Sequence, residues 1–126
     1  MDLTAEDKIS IQQLSAKYAM AMDDADMETW LSTWDQHGIW EGGPGRFEGL
    51  DELKQLFPKL GDRIVGKRHV IANFVIEGDG DKATQHCYLL VVDRKKEHLP
   101  WTLVYTDSIE KKNGQWRFVH RKAVLD

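Results

Sequence analysis

The chain has 126 residues, of which 41% are hydrophobic and 30% charged, which is typical of one globular domain spanning residues 1–126. Its net charge of −4 argues against a nucleic-acid partner, and the basic run that begins at Arg94 is interpreted as a solvated loop because Glu97 follows it. The longest apolar run, Cys87 to Val92, is far shorter than the roughly 20 residues that span a bilayer, and a lone cysteine forms no internal disulfide; we expect a cytoplasmic protein.

The first predicted element is a helix that begins near Thr4 and runs to about Met22. Thr4 and Asp7 have the spacing of a capping box, which satisfies amides of the first turn. Apolar residues then recur at helical spacing, namely Ile11, Leu14, Tyr18 and Met22.

Two more helices and a short hairpin are predicted before residue 60. Asp26 is a favourable N-cap for a short helix with an apolar face formed by Met27, Trp30, Leu31 and Trp34. Ile39 to Glu41 is predicted as a strand, Gly42 to Gly45 as a turn, and Phe47 as part of the returning strand. A third helix is predicted from about Leu50 to Phe57, and Pro58 is expected to end it.

The second half is rich in β-branched and aromatic residues and predicts four long strands, at about His69–Glu77, Ala83–Asp93, Trp101–Lys111 and Trp116–Leu125. Gly78 to Asp81 forms the first turn, and Asn113-Gly114 is typical of a type I′ hairpin turn. Helices followed by an antiparallel meander predict an α+β fold. Both faces of the second of these strands are apolar, so we expect the outer face to meet another subunit in a homodimer or homotrimer.

Asp23, just past the first helix, and His69, at the start of the first long strand, are the main candidate site residues. If the fold joins them, they form a metal-free general base, because a buried carboxylate orients an imidazole and stabilises its protonated form.

Other site chemistry has little support in the sequence. His37, His86, His98 and His120 form no closely spaced ligand pair with one another or with His69, so no metal is expected. Nucleotide-binding glycine motifs and a nucleophile elbow are also missing from the sequence. Strand alternation places Arg121 with Val119 and Ala123, opposite Trp116 and Phe118, where Arg121 either anchors a substrate group or pairs with an acidic neighbour.

The chain resembles the SnoaL-like branch of the nuclear transport factor 2-like superfamily. The resemblance is carried by the segment from Tyr18 to Asp26 leading into Trp30 and Trp34, by Arg68-His69, by Tyr105-Thr106-Asp107, and by Asn113 to Trp116. It implies a cone-shaped α+β barrel, in which three N-terminal helices pack on a curved, mostly antiparallel sheet.

The resemblance also implies an activity. The chain is similar in its polar positions to scytalone dehydratase, the bile acid 7α-dehydratases and hexachlorocyclohexane dehydrochlorinase, in which a histidine removes a proton from carbon. By this resemblance His69 is the base, Asp23 fixes its tautomer, and Tyr18 polarises a substrate oxygen, with no metal or organic cofactor. Val91 stands where the bile acid enzymes have a further aspartate. The implied reaction is elimination from a small cyclic, largely apolar substrate.

Two other functions stay open. Ketosteroid isomerases share the fold, and here Tyr18 and Asp107 match their oxyanion hole while Glu41 falls near their base; Asp107 would then bind substrate in its neutral form. The second alternative is a binding or assembly domain without chemistry, such as a dioxygenase small subunit. In the catalytic interpretations Trp40 and Trp101 line an aromatic pocket.

Overall fold

The computed structural model describes residues 1–96 and 98–126, with the backbone alone described at 98–100. The elements in chain order are α1 (Ala5–Asp23), α2 (Met27–Ser32), β1 (Trp34–Gly42), β2 (Gly45–Glu48), α3 (Gly49–Ile64), β3 (Lys67–Asp79), β4 (Lys82–Asp93), β5 (His98–Lys112) and β6 (Gln115–Leu125). Glu97, expected in a solvated loop, and the side chain of His98 lie outside the described residues. No helix of the described part has the length and apolar character needed to span a membrane.

The first helix starts at the predicted capping box. The Thr4 hydroxyl accepts a hydrogen bond from the Asp7 amide at 3.0 Å, and an Asp7 carboxylate oxygen accepts one from the Thr4 amide at 3.1 Å. These bonds satisfy amides that have no partner within the helix. The four residues of the predicted apolar stripe, Ile11, Leu14, Tyr18 and Met22, are all buried. The stripe therefore fixes the face of α1 that packs on the sheet.

The second helix begins where Asp26 caps it, with a carboxylate oxygen that accepts a hydrogen bond from the Thr29 amide at 3.1 Å. Trp34, predicted on the apolar face of this helix, instead begins β1. It still packs on Trp30, with ring centroids 5.6 Å apart, because helix and strand meet in a tight turn that Thr33 closes through a bond to the Trp30 carbonyl. The pattern identified a buried residue but extended the helix too far.

The prediction that the third helix ends by Pro58 is wrong. α3 continues to Ile64 with Pro58 inside it. Proline removes one intrahelical hydrogen bond and typically costs a helix about 3 kcal/mol. Here Leu60 and Ile64 continue the apolar stripe beyond the proline and pack against the core, which offsets that cost. The additional turns carry Arg63 and Ile64 to the candidate site.

The six strands form one sheet in the order β2-β1-β6-β5-β4-β3. β3 to β6 are the predicted antiparallel meander, and β1 lies parallel to β6. The turn between β5 and β6 is confirmed, since Asn113 and Gly114 have φ values of 53° and 76°, as a type I′ turn requires. The three helices pack on this curved, mostly antiparallel sheet, which is open rather than closed on itself, so the expected α+β architecture is confirmed. α1 packs beside β3 and α3 beside β1 and β2, so helices rather than strand pairing fill the space between the two edges.

A β-bulge in β6 corrects the predicted orientation of Arg121. Simple alternation places Arg121 opposite Phe118, but the pairing of β6 with β5 skips Val119, which lies between Phe118 and His120. Arg121 and Phe118 are consequently both fully buried on the face that the helices cover. The bulge thus brings a cation into the core.

The opposite face of the sheet carries apolar side chains in contact with solvent. Val70, Tyr88 and Val124 are 41%, 51% and 48% exposed, respectively. In β4 the alternate set, which includes Cys87 and Leu89, is buried under the helices. The outer face is therefore available for self-association, which stays a prediction.

Candidate active site

Asp23 and His69 lie next to each other at one end of the sheet. Asp23 is the last residue of α1, and His69 is the third residue of β3. The Asp23 Oδ1 atom is 2.7 Å from His69 Nδ1. The His69 amide also donates to the two carboxylate oxygens, at 2.9 and 3.2 Å. One carboxylate thus binds both the backbone and the ring of the same residue, which fixes the orientation of the imidazole.

The two side chains are largely removed from solvent, with 6% of His69 and 13% of Asp23 exposed. A carboxylate acceptor at Nδ1 favours the tautomer that carries its proton there and leaves the lone pair on Nε2. Within the part of the chain that the structure describes, Nε2 forms no hydrogen bond. This nitrogen is therefore free to accept a proton.

His69 lines a cavity of about 230 Å³ between the end of α3 and the sheet. The wall is mainly apolar; its other residues are Trp40, Gly43, Pro44, Leu60, Arg63, Ile64, Val91, Trp101, Leu103, Ala123 and Leu125. His69 also borders an open groove of about 530 Å³ along α1. A larger groove of about 660 Å³, between α1 and the β5–β6 turn, has mostly polar walls and does not include this pair. Of these three spaces, the cavity beside α3 is the least open and the most apolar, so it is the better site for an apolar ring.

Trp40 and Trp101 both belong to the cavity wall. Trp101 reaches it because strand pairing sets His69, Val91 and Trp101 side by side on β3, β4 and β5. Trp40 enters from β1, where it pairs with Arg121 of β6. The cavity therefore has aromatic surfaces from two opposite parts of the sheet.

Asp107 and Arg121 form a buried ion pair behind the cavity wall. The Arg121 guanidinium donates to both Asp107 oxygens at 2.7 Å, and both side chains are essentially inaccessible to solvent. Gln85 donates to Asp107 at 2.9 Å and to Ser15 at 3.0 Å, which extends the network to α1. The guanidinium also stacks on the Tyr105 ring at 3.8 Å. Of the two roles proposed for Arg121, pairing with an acidic neighbour is the one seen in this geometry.

Tyr18 lies in the core of the fold. Its ring packs against Trp30, Trp34 and Tyr105, and the Arg121 guanidinium lies 4.6 Å from the ring centroid. Burial raises the pKa of Tyr18, and the positive charge of Arg121 lowers it only in part. The hydroxyl therefore stays protonated and can act as a donor. Tyr18, like the Asp107–Arg121 pair, is not among the described residues that line the cavity, so its contact with substrate stays a prediction.

Three residues near the site were missed from the sequence. Arg63 lines the cavity, but the sequence predicts that the third helix ends by Pro58, which leaves Arg63 outside that helix. Gln85 and Ser15 belong to the buried polar network. Gln85 lies two residues from both Ala83 and Cys87, so the three share one face of β4, and this position among apolar residues was the available signal that Gln85 faces inward.

No group of three or more histidine, cysteine or acidic side chains among the described residues is arranged to hold a metal ion. Cys87 is buried, and burial raises the pKa of its thiol to about 12, so it is protonated at neutral pH. The Asp23–His69 pair is therefore the most chemically distinctive feature of the described part.

Comparison with known proteins identifies the family. A family model for the SnoaL-like domain matches residues 3–122. The chain belongs to this SnoaL-like family. A Nostoc punctiforme protein of unknown function with a cystatin-like fold is 36% identical, with a TM-score of 0.97, covering 100% of this chain and 96% of its own. Among curated proteins none matches the chain.

Two more distant structures share the fold. A putative scytalone dehydratase from Novosphingobium aromaticivorans is 20% identical, with a TM-score of 0.83, covering 94% of this chain and 83% of its own. The structure named LinA is 22% identical, with a TM-score of 0.82, covering 94% of this chain and 85% of its own. At these identities the likeness extends to the fold alone, which is the nuclear transport factor 2-like, cystatin-like fold. The family and fold expected from the sequence are thus confirmed.

Proposed function

We propose that this SnoaL-like protein is a cofactor-independent lyase that carries out a dehydratase-type elimination on a small cyclic, largely apolar substrate. The observation that carries the proposal is the 2.7 Å contact between Asp23 Oδ1 and His69 Nδ1, with His69 in the wall of an apolar cavity. A general base must lie within hydrogen-bonding reach of the proton that it removes, and its orientation must be fixed.

In the proposed step, His69 Nε2 removes a proton from a substrate carbon. The electrons of the broken C–H bond form a carbon–carbon double bond, and the bond from the adjacent carbon to its hydroxyl or halide breaks, so that water or hydrogen halide is lost overall. Asp23 holds neutral His69 in one tautomer before the proton transfer and stabilises the His69 imidazolium after it. Tyr18 is proposed to donate a hydrogen bond towards the substrate oxygen.

The size and surface of the cavity limit the substrate. Its volume of about 230 Å³ is below the roughly 300–1,000 Å³ of sites for drug-sized ligands. Trp40 and Trp101 offer flat aromatic surfaces, and aliphatic side chains complete most of the wall. A compact ring suits this space better than an extended chain.

The isomerase interpretation is less well supported than the lyase proposal, because the two acids that it requires, Asp107 and Glu41, are engaged in other contacts. It needs a neutral Asp107 that faces the substrate, whereas both oxygens of Asp107 accept hydrogen bonds from Arg121. The proposed base, Glu41, lies 2.9 Å from His120 and is not among the described cavity residues. The Asp23–His69 contact has no role in that mechanism.

We further propose that the protein acts in the cytoplasm as a homodimer or homotrimer joined through the outer face of the sheet. The exposed side chains of Val70, Tyr88 and Val124 support this proposal. An assembly domain without chemistry would use the same face, so self-association does not distinguish the two functions.

The test of the proposed function is a screen of hydroxylated and halogenated ring compounds for loss of water or halide. For any compound turned over, His69→Ala should lower kcat by roughly 10²- to 10⁴-fold, the usual contribution of a general base. His86→Ala is the matched control, because His86 is exposed on the other face of the sheet. Equal activity of His69→Ala and the wild type would exclude His69 as the base and favour the binding or assembly alternative.

A further inference from the structure

Arg63 is the one lysine or arginine in the described part of the cavity wall. It lies in the last turn of α3 and its side chain is exposed. Among the described residues it forms no ion pair. An otherwise apolar cavity thus has an unpaired guanidinium at its mouth.

Two more cations surround the turn that joins α3 to β3. Lys67 Nζ lies 5.5 Å from the ring centroid of Trp101, which is itself a cavity residue. Arg94 Nε donates to the Gly66 carbonyl at 3.3 Å. Asp93 is the cross-strand neighbour of Lys67 in the pairing of β3 with β4. Three cations, Arg63, Lys67 and Arg94, thus lie around this turn on a chain whose net charge is −4.

Helix electrostatics explain only part of this cluster. A cation in the last turn of a helix interacts favourably with the helix dipole, which accounts for Arg63. Lys59, however, is four residues before Arg63 on the same helix, and like charges at this spacing repel. Lys67 begins β3 and Arg94 follows β4, so neither of them benefits from the dipole. The cluster needs a reason outside the stability of α3.

We propose that the mouth of the cavity binds an oxyanion, such as a carboxylate, on an amphiphilic substrate whose apolar ring occupies the cavity beside His69. Arg63 is the principal binding residue, because a guanidinium matches an oxyanion with two parallel hydrogen bonds. Lys67 and Arg94 add long-range attraction. The inference takes the cavity to be the substrate site, as in the proposed function, and names the substrate class as anionic.

The experiment uses two probes of nearly equal shape, 2-naphthoate and the neutral 2-naphthamide. Dissociation constants are measured by NMR titration of the tryptophan indole N–H resonances, since Trp40 and Trp101 line the cavity. The wild type should prefer naphthoate by about fivefold, as expected for a partly exposed charge pair. Arg63→Gln should abolish this preference and leave the affinity for naphthamide unchanged, which also shows that the variant is folded.

Arg68→Gln is the matched control. It removes the same charge, but Arg68 alternates with Lys67 and His69 along β3, so its side chain is on the opposite face of the sheet. This variant should keep the preference for naphthoate. The inference is overturned if the wild type binds neither probe or both equally, or if Arg68→Gln weakens naphthoate binding as much as Arg63→Gln.

These titrations involve no reaction, so their result is separate from that of the elimination screen. His69→Ala should retain the preference for naphthoate. If it does so and no elimination is found, the proposed function fails while the anion site stands. If elimination is found and Arg63→Gln binds both probes like the wild type, only the anion site fails.

Discussion

Asp107→Asn should destabilise the protein strongly, because it breaks a fully buried ion pair. Oδ1 of Asp107 accepts a bond from Arg121, and Oδ2 accepts bonds from Arg121 and Gln85. In either orientation of the asparagine amide, its NH₂ group would face a donor. The substitution also leaves a buried guanidinium without its counter-charge. Burial lowers the pKa of Arg121, and the negative charge of Asp107, together with its hydrogen bonds, outweighs burial and holds that pKa above its ordinary value.

The expected loss is about 3–5 kcal/mol, the usual cost of removing one partner of a buried ion pair. This is a large share of the roughly 5–15 kcal/mol by which such domains are stable. For a chain of this length it corresponds to a fall in Tm of about 10–20 °C. The free energy of unfolding is measured by denaturant titration followed by circular dichroism.

Asp62→Asn is the control, since Asp62 is an exposed acid on α3 and its substitution should change stability by less than about 0.5 kcal/mol. The double variant Asp107→Leu with Arg121→Met removes both charges and should be more stable than Asp107→Asn. If Asp107→Asn were within about 1 kcal/mol of the wild type, the interpretation of this network as a tightly coupled buried pair would be refuted.

Three further outcomes are expected. Burial raises the pKa of Asp35, but its bond from Lys112 at 2.8 Å and the bond from a backbone amide outweigh burial and lower the pKa below the ordinary 3.8. The stabilisation that the Asp35 carboxylate provides is therefore complete above pH 3.8 and is lost as the pH falls through its lowered folded-state pKa. In an acid denaturation series the wild type should lose stability more steeply than Asp35→Asn, and equal slopes would contradict this. Because burial raises the pKa of Cys87 to about 12, a thiol reagent at pH 8 should modify it only after denaturant is added, and rapid modification of the native protein would show that the residue is accessible. Gly78→Ala should lower the denaturation midpoint, since its Cβ would lie 2.2 Å from a backbone oxygen of β4, whereas Gly61→Ala meets open space on α3 and should raise stability by up to about 1 kcal/mol; changes of the same sign would be inconsistent with this packing.

Local sequence signals predicted much of the fold. The Thr4–Asp7 box and the Asn113-Gly114 turn act through neighbouring residues, so their geometry follows from a few side chains and φ angles. The errors arose where tertiary packing decides. α3 continues past Pro58 because Leu60 and Ile64 pack, partly buried, against core residues that are distant in the sequence. The bulge at Val119 depends on pairing with β5.

The candidate site was less accessible to sequence reasoning. Asp23 and His69 are 46 residues apart, and no periodicity relates them, so their proximity was expected only through the family resemblance. The buried position of Arg121 could not be predicted from strand alternation, because the bulge at Val119 moves its side chain to the other face of the sheet. Arg63 was missed because α3 was predicted to end by Pro58, whereas it continues to Ile64.

The proposed function requires that Asp23 hold His69 in the tautomer needed for a general base. Nitrogen-15 NMR of the imidazole at pH 8 tests it without knowledge of the substrate. We expect a proton on Nδ1 and an unprotonated Nε2 in the wild type, with loss of this fixed tautomer in Asp23→Ala. A proton on Nε2 in the wild type, or a ring that averages between tautomers with and without Asp23, would contradict it.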